Sequence, residues 1–155
     1  MATEQMTLKS MQNLTVRECI DLLGRHSLGR LAFVGRVGVM PLIIPVNYVV
    51  DHDSVVFRSD PGSKLTAAVL GAPVAFEVDG GFDERNHTGW SVVVHGHARA
   101  ITDPGESARL RQLPLVPWAP GAKPHFIRVE PGVITGRRIG STEIDLSDTP
   151  GHWLG

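Results

Sequence analysis

The stretch IIPVNYVVDHDSVVFRSDPGSKL, residues 43 to 65, contains two apolar segments, two tight turns and the start of a helix. The first apolar segment extends from Pro41 to Val50 and is rich in β-branched residues, so it reads as a strand. Asp51-His52-Asp53 is a short polar connection of the kind that joins antiparallel neighbours. Val55-Val56-Phe57 forms the next strand, which ends in Arg58-Ser59 and turns through Asp60-Pro61-Gly62. Ser63 then precedes Leu65, Ala68 and Val69, a spacing that predicts a short helix stopping at Gly71 and Pro73.

Upstream, Thr15-Val16-Arg17-Glu18 has the pattern of a capping box, and Val16, Cys19, Ile20 and Leu23 recur at helical spacing. A helix is expected from about Thr15 to Gly24, followed by a strand from Arg30 to Val34 and a glycine turn, Gly35 to Gly38, that makes a hairpin with Pro41 to Val50. Downstream, Val74 to Val78 reads as a strand, Asp79 to Gly89 as a polar loop, and Trp90 to Ile101 as the clearest strand of all. Asp103-Pro104-Gly105-Glu106 opens a helix through Leu113, and Pro114 to Pro124 is a proline-rich connection. Phe126 to Val129 and Val133 to Ile139, separated by Glu130-Pro131-Gly132, are expected to form a closing hairpin, and no strong pattern follows Gly140. Helices do not alternate regularly with strands. The expectation is therefore a mainly β fold with flanking helices, a six- to seven-stranded antiparallel barrel, closed or nearly so.

The chain of 155 residues suits one domain over residues 14–140, with an extension at 1–13 and a tail at 141–155. Its net charge of −1, from 15 Lys and Arg against 16 Asp and Glu, carries no footprint for nucleic acid or an anionic membrane. Met1 to Gln12 lacks the basic and apolar regions of a signal peptide, and Pro41 to Val50 is too short to span a bilayer as a helix. A soluble, cytoplasmic protein is expected. The single cysteine, Cys19, excludes an intrachain disulfide and reads as a small core residue.

The corner from Phe57 to Leu65 has the chemistry of a phosphate cradle. Arg58 offers a forked guanidinium, Ser59 and Ser63 offer hydroxyls, Lys64 offers a point charge, and the turn into a helix start offers backbone N–H groups. It is not a Walker A loop, because the glycine stands too close to the lysine. Three further segments accompany it: LTVRECIDLLGRHSLGRLAF at 14–33, GWSVVVHGHARAI at 89–101 and Thr135-Gly136-Arg137. In this order the segments resemble the pyridoxamine 5′-phosphate oxidase-like proteins, FMN-binding split β-barrels, and in particular their short nitroimidazole-reductase-like branch.

That resemblance implies a homodimer with one FMN per subunit between the chains, acting as an oxidoreductase on a small-molecule substrate with a separate electron donor. The backbone of Pro45, Val46, Asn47 and Tyr48 is placed along the flavin ring, and Phe57, Arg58, Ser59, Ser63 and Lys64 at the phosphate. Trp90 and Ser91 are placed on the next strand contacting the flavin. Nothing after Ile139 resembles the substrate-phosphate segment of true pyridoxamine phosphate oxidases, so vitamin B6 oxidation is not expected. Relatives that use a deazaflavin coenzyme need a wider basic groove, for which Arg36, Arg85, Arg137 and Arg138 are available. A non-catalytic flavin-binding protein is a further alternative.

His95 and His97 match the opening of a cupin metal motif, but Ile101 and Thr102 stand where its glutamate belongs, so no metal site is assigned. Gly96 between them suits a close approach of strands, with the histidines on a barrel face or subunit interface. Ser91 lacks the nucleophile elbow of a hydrolase, and no residue has the context of a general acid or base.

Overall fold

The computed structural model describes residues 5–35, 40–60 and 62–145. In chain order the elements are β1 (Gln5–Asn13), α1 (Val16–Gly24), β2 (Leu28–Val34), β3 (Pro41–Asp51), β4 (Ser54–Ser59), α2 (Lys64–Val69), β5 (Pro73–Asp83), β6 (Thr88–Ile101), α3 (Pro104–Leu110) and β7 (His125–Asp145). The strands run β7-β4-β3-β2-β5-β6, and β6 pairs back onto β7, which closes an antiparallel six-stranded barrel. β1 lies outside the ring and, among the described residues, pairs only with the far end of β7.

Side chains alternate along the strands, and the inward set fills the barrel. Leu31 and Phe33, Val55 and Phe57, Val74, Phe76 and Val78, Val92 and Val94, and Ile127 and Val129 form one buried cluster with Tyr48. α1 adds Cys19, Leu22 and Leu23 to it, after a complete capping box at Thr15 and Glu18. Burial and the neighbouring Glu18 charge both raise the Cys19 thiol pKa, as befits an inert core residue. The opposite face of β4 is covered as well. Val56 packs with Ile101, Phe126, Leu110 of α3 and Leu115 of the following connection in a second cluster outside the barrel.

An ionic network joins α3 to this outer wall. Asp51, 7% exposed, accepts two bonds from Arg109 of α3, at 2.7 and 2.9 Å, and one from Arg128 Nη2 at 2.7 Å. Arg128 also donates to the Asp51 carbonyl at 2.8 Å, to Ser54 Oγ at 2.6 Å and to Glu106 Oε1 at 2.9 Å. The β3–β4 hairpin is tight because His52 and Asp53 both take positive φ, 47° and 60°, as a two-residue primed turn requires.

Several segments differ from the sequence reading. The polar loop expected at Asp79 to Gly89 is mostly ladder: β5 runs on to Asp83 and β6 begins at Thr88, with a bulge where Gly80 faces Trp90 and Asp83 faces Thr88. Gly81 in that bulge has φ +63°, which is why a glycine-rich, charged stretch can sit within a strand. The closing hairpin is instead one strand, β7. Glu130-Pro131-Gly132 is a bulge in it, with His95 facing Val133 and Gly96 facing Pro131. Proline is tolerated there because a bulge needs no ladder donor. A Cβ on Gly96 would overlap the Glu130 carbonyl, so the close strand approach expected at Gly96 is present.

Residues 140–145, read as patternless, extend β7 and hold β1, from Gln5 opposite Asp145 to Asn13 opposite Arg137. α3 ends at Leu110, short of Leu113. Within the Gly35–Gly38 turn, residues 36–38 lie outside the described residues. No helix among the described residues is long and apolar enough to cross a membrane.

Candidate functional site

The end of β4 and the turn into α2 build a small cleft of about 230 Å³. Arg58 is fixed at its wall: Nε donates to the Lys123 carbonyl at 2.8 Å, and the guanidinium lies 5.4 Å from the centre of the Phe126 ring. Its terminal nitrogens have no carboxylate partner among the described residues. Ser59, 4% exposed, lines the same cleft, and its hydroxyl has no hydrogen-bond partner among the described residues. An orphaned buried hydroxyl costs about 1–3 kcal/mol.

Ser63 caps α2: its Oγ accepts from Thr66 N at 3.1 Å. The Gly62 and Ser63 N–H groups are spent on Asp60, at 3.0 and 3.1 Å. Because α2 has only six residues and these turn donors are engaged, the backbone contribution expected at the helix start is small. Anion binding at this corner rests on side chains. Arg58, Ser59 and Ser63 meet there with Pro45, Val46 and Asn47.

The remaining residues proposed from the sequence lie elsewhere. Lys64 lines an adjoining apolar groove of about 530 Å³ between α2 and β2–β3, which shares Ile44 and Leu65 with the cleft. Phe57 and Tyr48 point into the barrel, 1% and 2% exposed, so only their backbone can face a ligand. The Tyr48 hydroxyl donates to the Leu23 carbonyl at 2.6 Å inside the barrel, and burial drives its pKa up.

Trp90 and Ser91 line a second cleft of about 430 Å³ with Phe82, Arg137 and Ile139. Trp90 lies against Gly80 and Gly81, where added Cβ atoms would come within 2.8 and 2.9 Å of the indole. The bulge glycines therefore make room for this ring. Asp79 on the same wall is paired with Arg30, whose Nη2 lies 2.5 Å from it while Nε binds Glu77 at 2.8 Å. Burial at Arg30 opposes the charged form, but these two carboxylates outweigh it and raise the guanidinium pKa.

The two clefts share one rim of the barrel. The His26 ring lies 4.9 Å from Trp90, and the next carbonyl, that of Ser27, accepts from Asn47 Nδ2 at 3.4 Å. Asn47 Oδ1 in turn accepts from Trp118 N at 2.8 Å, which ties the proline-rich connection to β3. Sequence reasoning missed His26, Trp118 and Lys123. The available signal was one aromatic and one basic residue inside a segment stiffened by Pro114, Pro117, Pro120 and Pro124.

Of the arginines weighed for a wider basic groove, Arg137 lines the Trp90 cleft, Arg138 faces Trp90 across the ladder and Arg85 sits on the β5–β6 turn. Arg36 lies outside the described residues. His95 and His97 are exposed on the outer face of β6. No cluster of three or more metal-ligating side chains occurs among the described residues.

Comparison with known proteins places this geometry in a family. A family model described as pyridoxamine 5′-phosphate oxidase matches residues 15–138. The uncharacterized Mycobacterium tuberculosis protein Rv0080 is 38% identical over 127 residues, covering 79% of this chain and 81% of its own. A FAD-binding protein from Mycobacterium smegmatis, 38% identical, superposes with a TM-score of 0.69 over 81% of this chain and 96% of its own. A candidate pyridoxamine 5′-phosphate oxidase from Corynebacterium glutamicum, 34% identical, gives a TM-score of 0.72 over 83% and 98%. The chain belongs to the pyridoxamine 5′-phosphate oxidase family.

Proposed function

We propose that this chain is a flavin-dependent oxidoreductase that works as a cytoplasmic homodimer. The observation that carries the reading is the Ser59 hydroxyl, buried without a partner in a cleft whose wall holds the Arg58 guanidinium without a carboxylate. A phosphate oxygen is the acceptor that this donor set lacks. FMN satisfies it, and the FAD-binding relative supports a flavin. When bound, the flavin supplies the hydride or electron transfer.

This chain's residues then bind and orient. Arg58, Ser59 and Ser63 would hold the ribityl phosphate. Pro45 to Asn47 would present their strand to the ring, and the His26–Trp90 pair gives the rim an aromatic wall. No side chain of the rim is assigned a proton-transfer role.

The dimer reading rests on β3. From Pro41 to Asn47 it pairs, among the described residues, only with β2, since β4 joins at Tyr48, and Met40 and Ile43 are 71% and 69% exposed. An open apolar edge of this kind calls for a cover, and a second copy supplies one.

The test is the visible spectrum of purified protein before and after incubation with FMN and desalting, with light scattering for mass. A retained flavin band and a dimer are expected. Arg58→Ala should weaken FMN by about 10- to 100-fold, the worth of one charge-assisted phosphate contact. Wild-type protein that retains neither FMN nor FAD overturns the reading. Flavin bound without turnover by nicotinamide donors and common acceptors would make the protein a flavin carrier.

A further inference from the structure

We infer that the chain carries a second oxyanion site, on the part of the barrel wall that α3 covers, where Arg111, His125, Ser107 and Thr102 receive a phosphate group. Its residues are not those of the flavin cleft, and it stands whether or not a flavin binds.

These residues line a cavity of about 420 Å³ together with Ile101, Pro104 and Pro124. Three pieces of chain meet there. Pro104, Ser107 and Arg111 are spaced i, i+3 and i+7, so they share one face of α3, with Arg111 as its C-cap. Thr102 follows the end of β6, and His125 opens β7. The ladder holds these two ends together, because Ile101 faces Phe126, and both are buried with Leu110 of α3 in the second cluster. The frame is thus anchored in a core, although Thr102, Arg111 and His125 are exposed.

Charge selects the ligand. No carboxylate lines the cavity, and neither Arg111 nor His125 has a carboxylate partner among the described residues. The acidic residues of the same segment are already engaged: Asp103 Oδ2 accepts from Glu106 N at 2.8 Å, and Glu106 Oε1 accepts from Arg128 at 2.9 Å. The backbone at the start of α3 contributes nothing, since Glu106 N and Ser107 N are both spent on Asp103, at 2.8 and 3.0 Å. What remains is a forked guanidinium, an imidazole N–H and two hydroxyls around one space. A tetrahedral phosphate presents an oxygen to each of them.

The position of the site matters as well. Arg111 and His125 stand at the two ends of the proline-rich connection, whose middle brings Pro117, Ala119 and Lys123 to the flavin cleft. A phosphate held by both ends staples that connection at its base and limits its freedom.

The experiment is a titration of the full chain with sodium phosphate, followed by proton–nitrogen correlation NMR, with sodium chloride at matched ionic strength as control. The Arg111 Nε–H and the backbone amides of Thr102, Ser107 and His125 should shift together and saturate with one shared Kd in the millimolar range or tighter. Arg111→Gln should raise that Kd about 10-fold or more, the worth of one charge-assisted contact, and His125→Ala about 3-fold or more. Arg111→Lys keeps the charge without the fork and should recover only part of the loss. Amide exchange across residues 112–122 should slow on adding phosphate to wild type and not to Arg111→Gln.

Phenyl phosphate distinguishes two sources of the same chemistry. Tighter binding than inorganic phosphate, with shifts extending to Ile101, assigns the cavity to an organic phosphate, and equal binding assigns it to the free ion. Shifts that chloride reproduces, or that Arg111→Gln and His125→Ala leave unchanged, overturn the inference, because the patch is then only screened surface charge. The amides from Arg58 to Ser63 report the flavin corner separately in the same spectra, so its failure to respond to FMN counts against the flavin reading and not against this site.

Discussion

Replacing Asp51 by Asn should cost this fold more than any surface change, because it discharges the centre of a largely buried network. The Asp51 and Arg128 side chains are 7% and 8% exposed, and their contact is 2.7 Å. With Asn at 51, the Arg128 guanidinium keeps only Glu106, itself 29% exposed, as a charged partner. Breaking a buried pair from one side typically costs about 3–5 kcal/mol, and for a domain of this size each kcal/mol lowers Tm by about 2–4 °C. The expected loss is therefore roughly 6–20 °C at pH 7, read by calorimetry, with a matching fall in urea midpoint at unchanged slope.

The acid dependence supplies an independent check. Hydrogen bonds from Arg109 and Arg128, with their charges, hold the Asp51 carboxyl well below its ordinary range against the opposing effect of burial. Between that depressed value and about 3.9 the unfolded chain binds a proton that the folded chain does not, so this stability is complete above about pH 5 and drains away as pH falls. The gap between wild type and Asp51→Asn should narrow below about pH 4. The double variant Asp51→Asn with Arg128→Met should be more stable than Asp51→Asn alone, since no stranded cation remains. A gap under 1 kcal/mol at pH 7, or one constant down to pH 3, would refute the argument.

Gly96→Ala should fail to reach the native ladder, since its Cβ would occupy the space of the Glu130 carbonyl; soluble yield and Tm after expression report it. Gly81→Ala should cost about 1–3 kcal/mol in urea unfolding, because its φ of +63° disfavours a Cβ, and should shift tryptophan emission by moving the Trp90 ring. Cys19 should resist iodoacetamide in native protein and react fully in urea, by mass spectrometry, as its complete burial and raised thiol pKa require.

The barrel was legible where alternation and turn chemistry agreed. Thr15 and Glu18 marked the start of α1, and Val92-Val93-Val94 marked β6. The misreadings share a cause. Asp79 to Gly89 and Glu130 to Gly132 carry residues that ordinarily end strands, and both sit at bulges, where neighbouring strands supply the pairing that local propensity withholds. The β1–β7 ribbon is likewise stabilised by partners far away in sequence.

At the candidate site, Arg58, Ser59 and Ser63 could be read as a group because one turn holds them. Lys64 was grouped with them by adjacency, yet it lines the groove beside the cleft, and Lys123 stands in the cleft instead. Only the path of the connection after α3 brings Lys123 there, and no local pattern encodes that path. Asp51 anchors α3, from which that connection departs, which predicts weaker flavin binding by the Asp51→Asn variant even at temperatures where it is folded.

β7 touches β4, β6 and β1 along its 21 residues, and it follows all of them in chain order. During synthesis, a chain that has emerged only as far as the proline-rich connection has two open sheet edges and no means of closing them. Its apolar interior faces outward, ready for a chaperone or for a neighbouring nascent chain on the same message. Closure then comes in a single late event that pairs both edges and recruits β1 from the opposite end of the sequence. Ribosome-bound chains halted before His125 should accordingly be cut by protease throughout, while those extended past Asp145 become resistant together, so that one strand decides when the barrel exists.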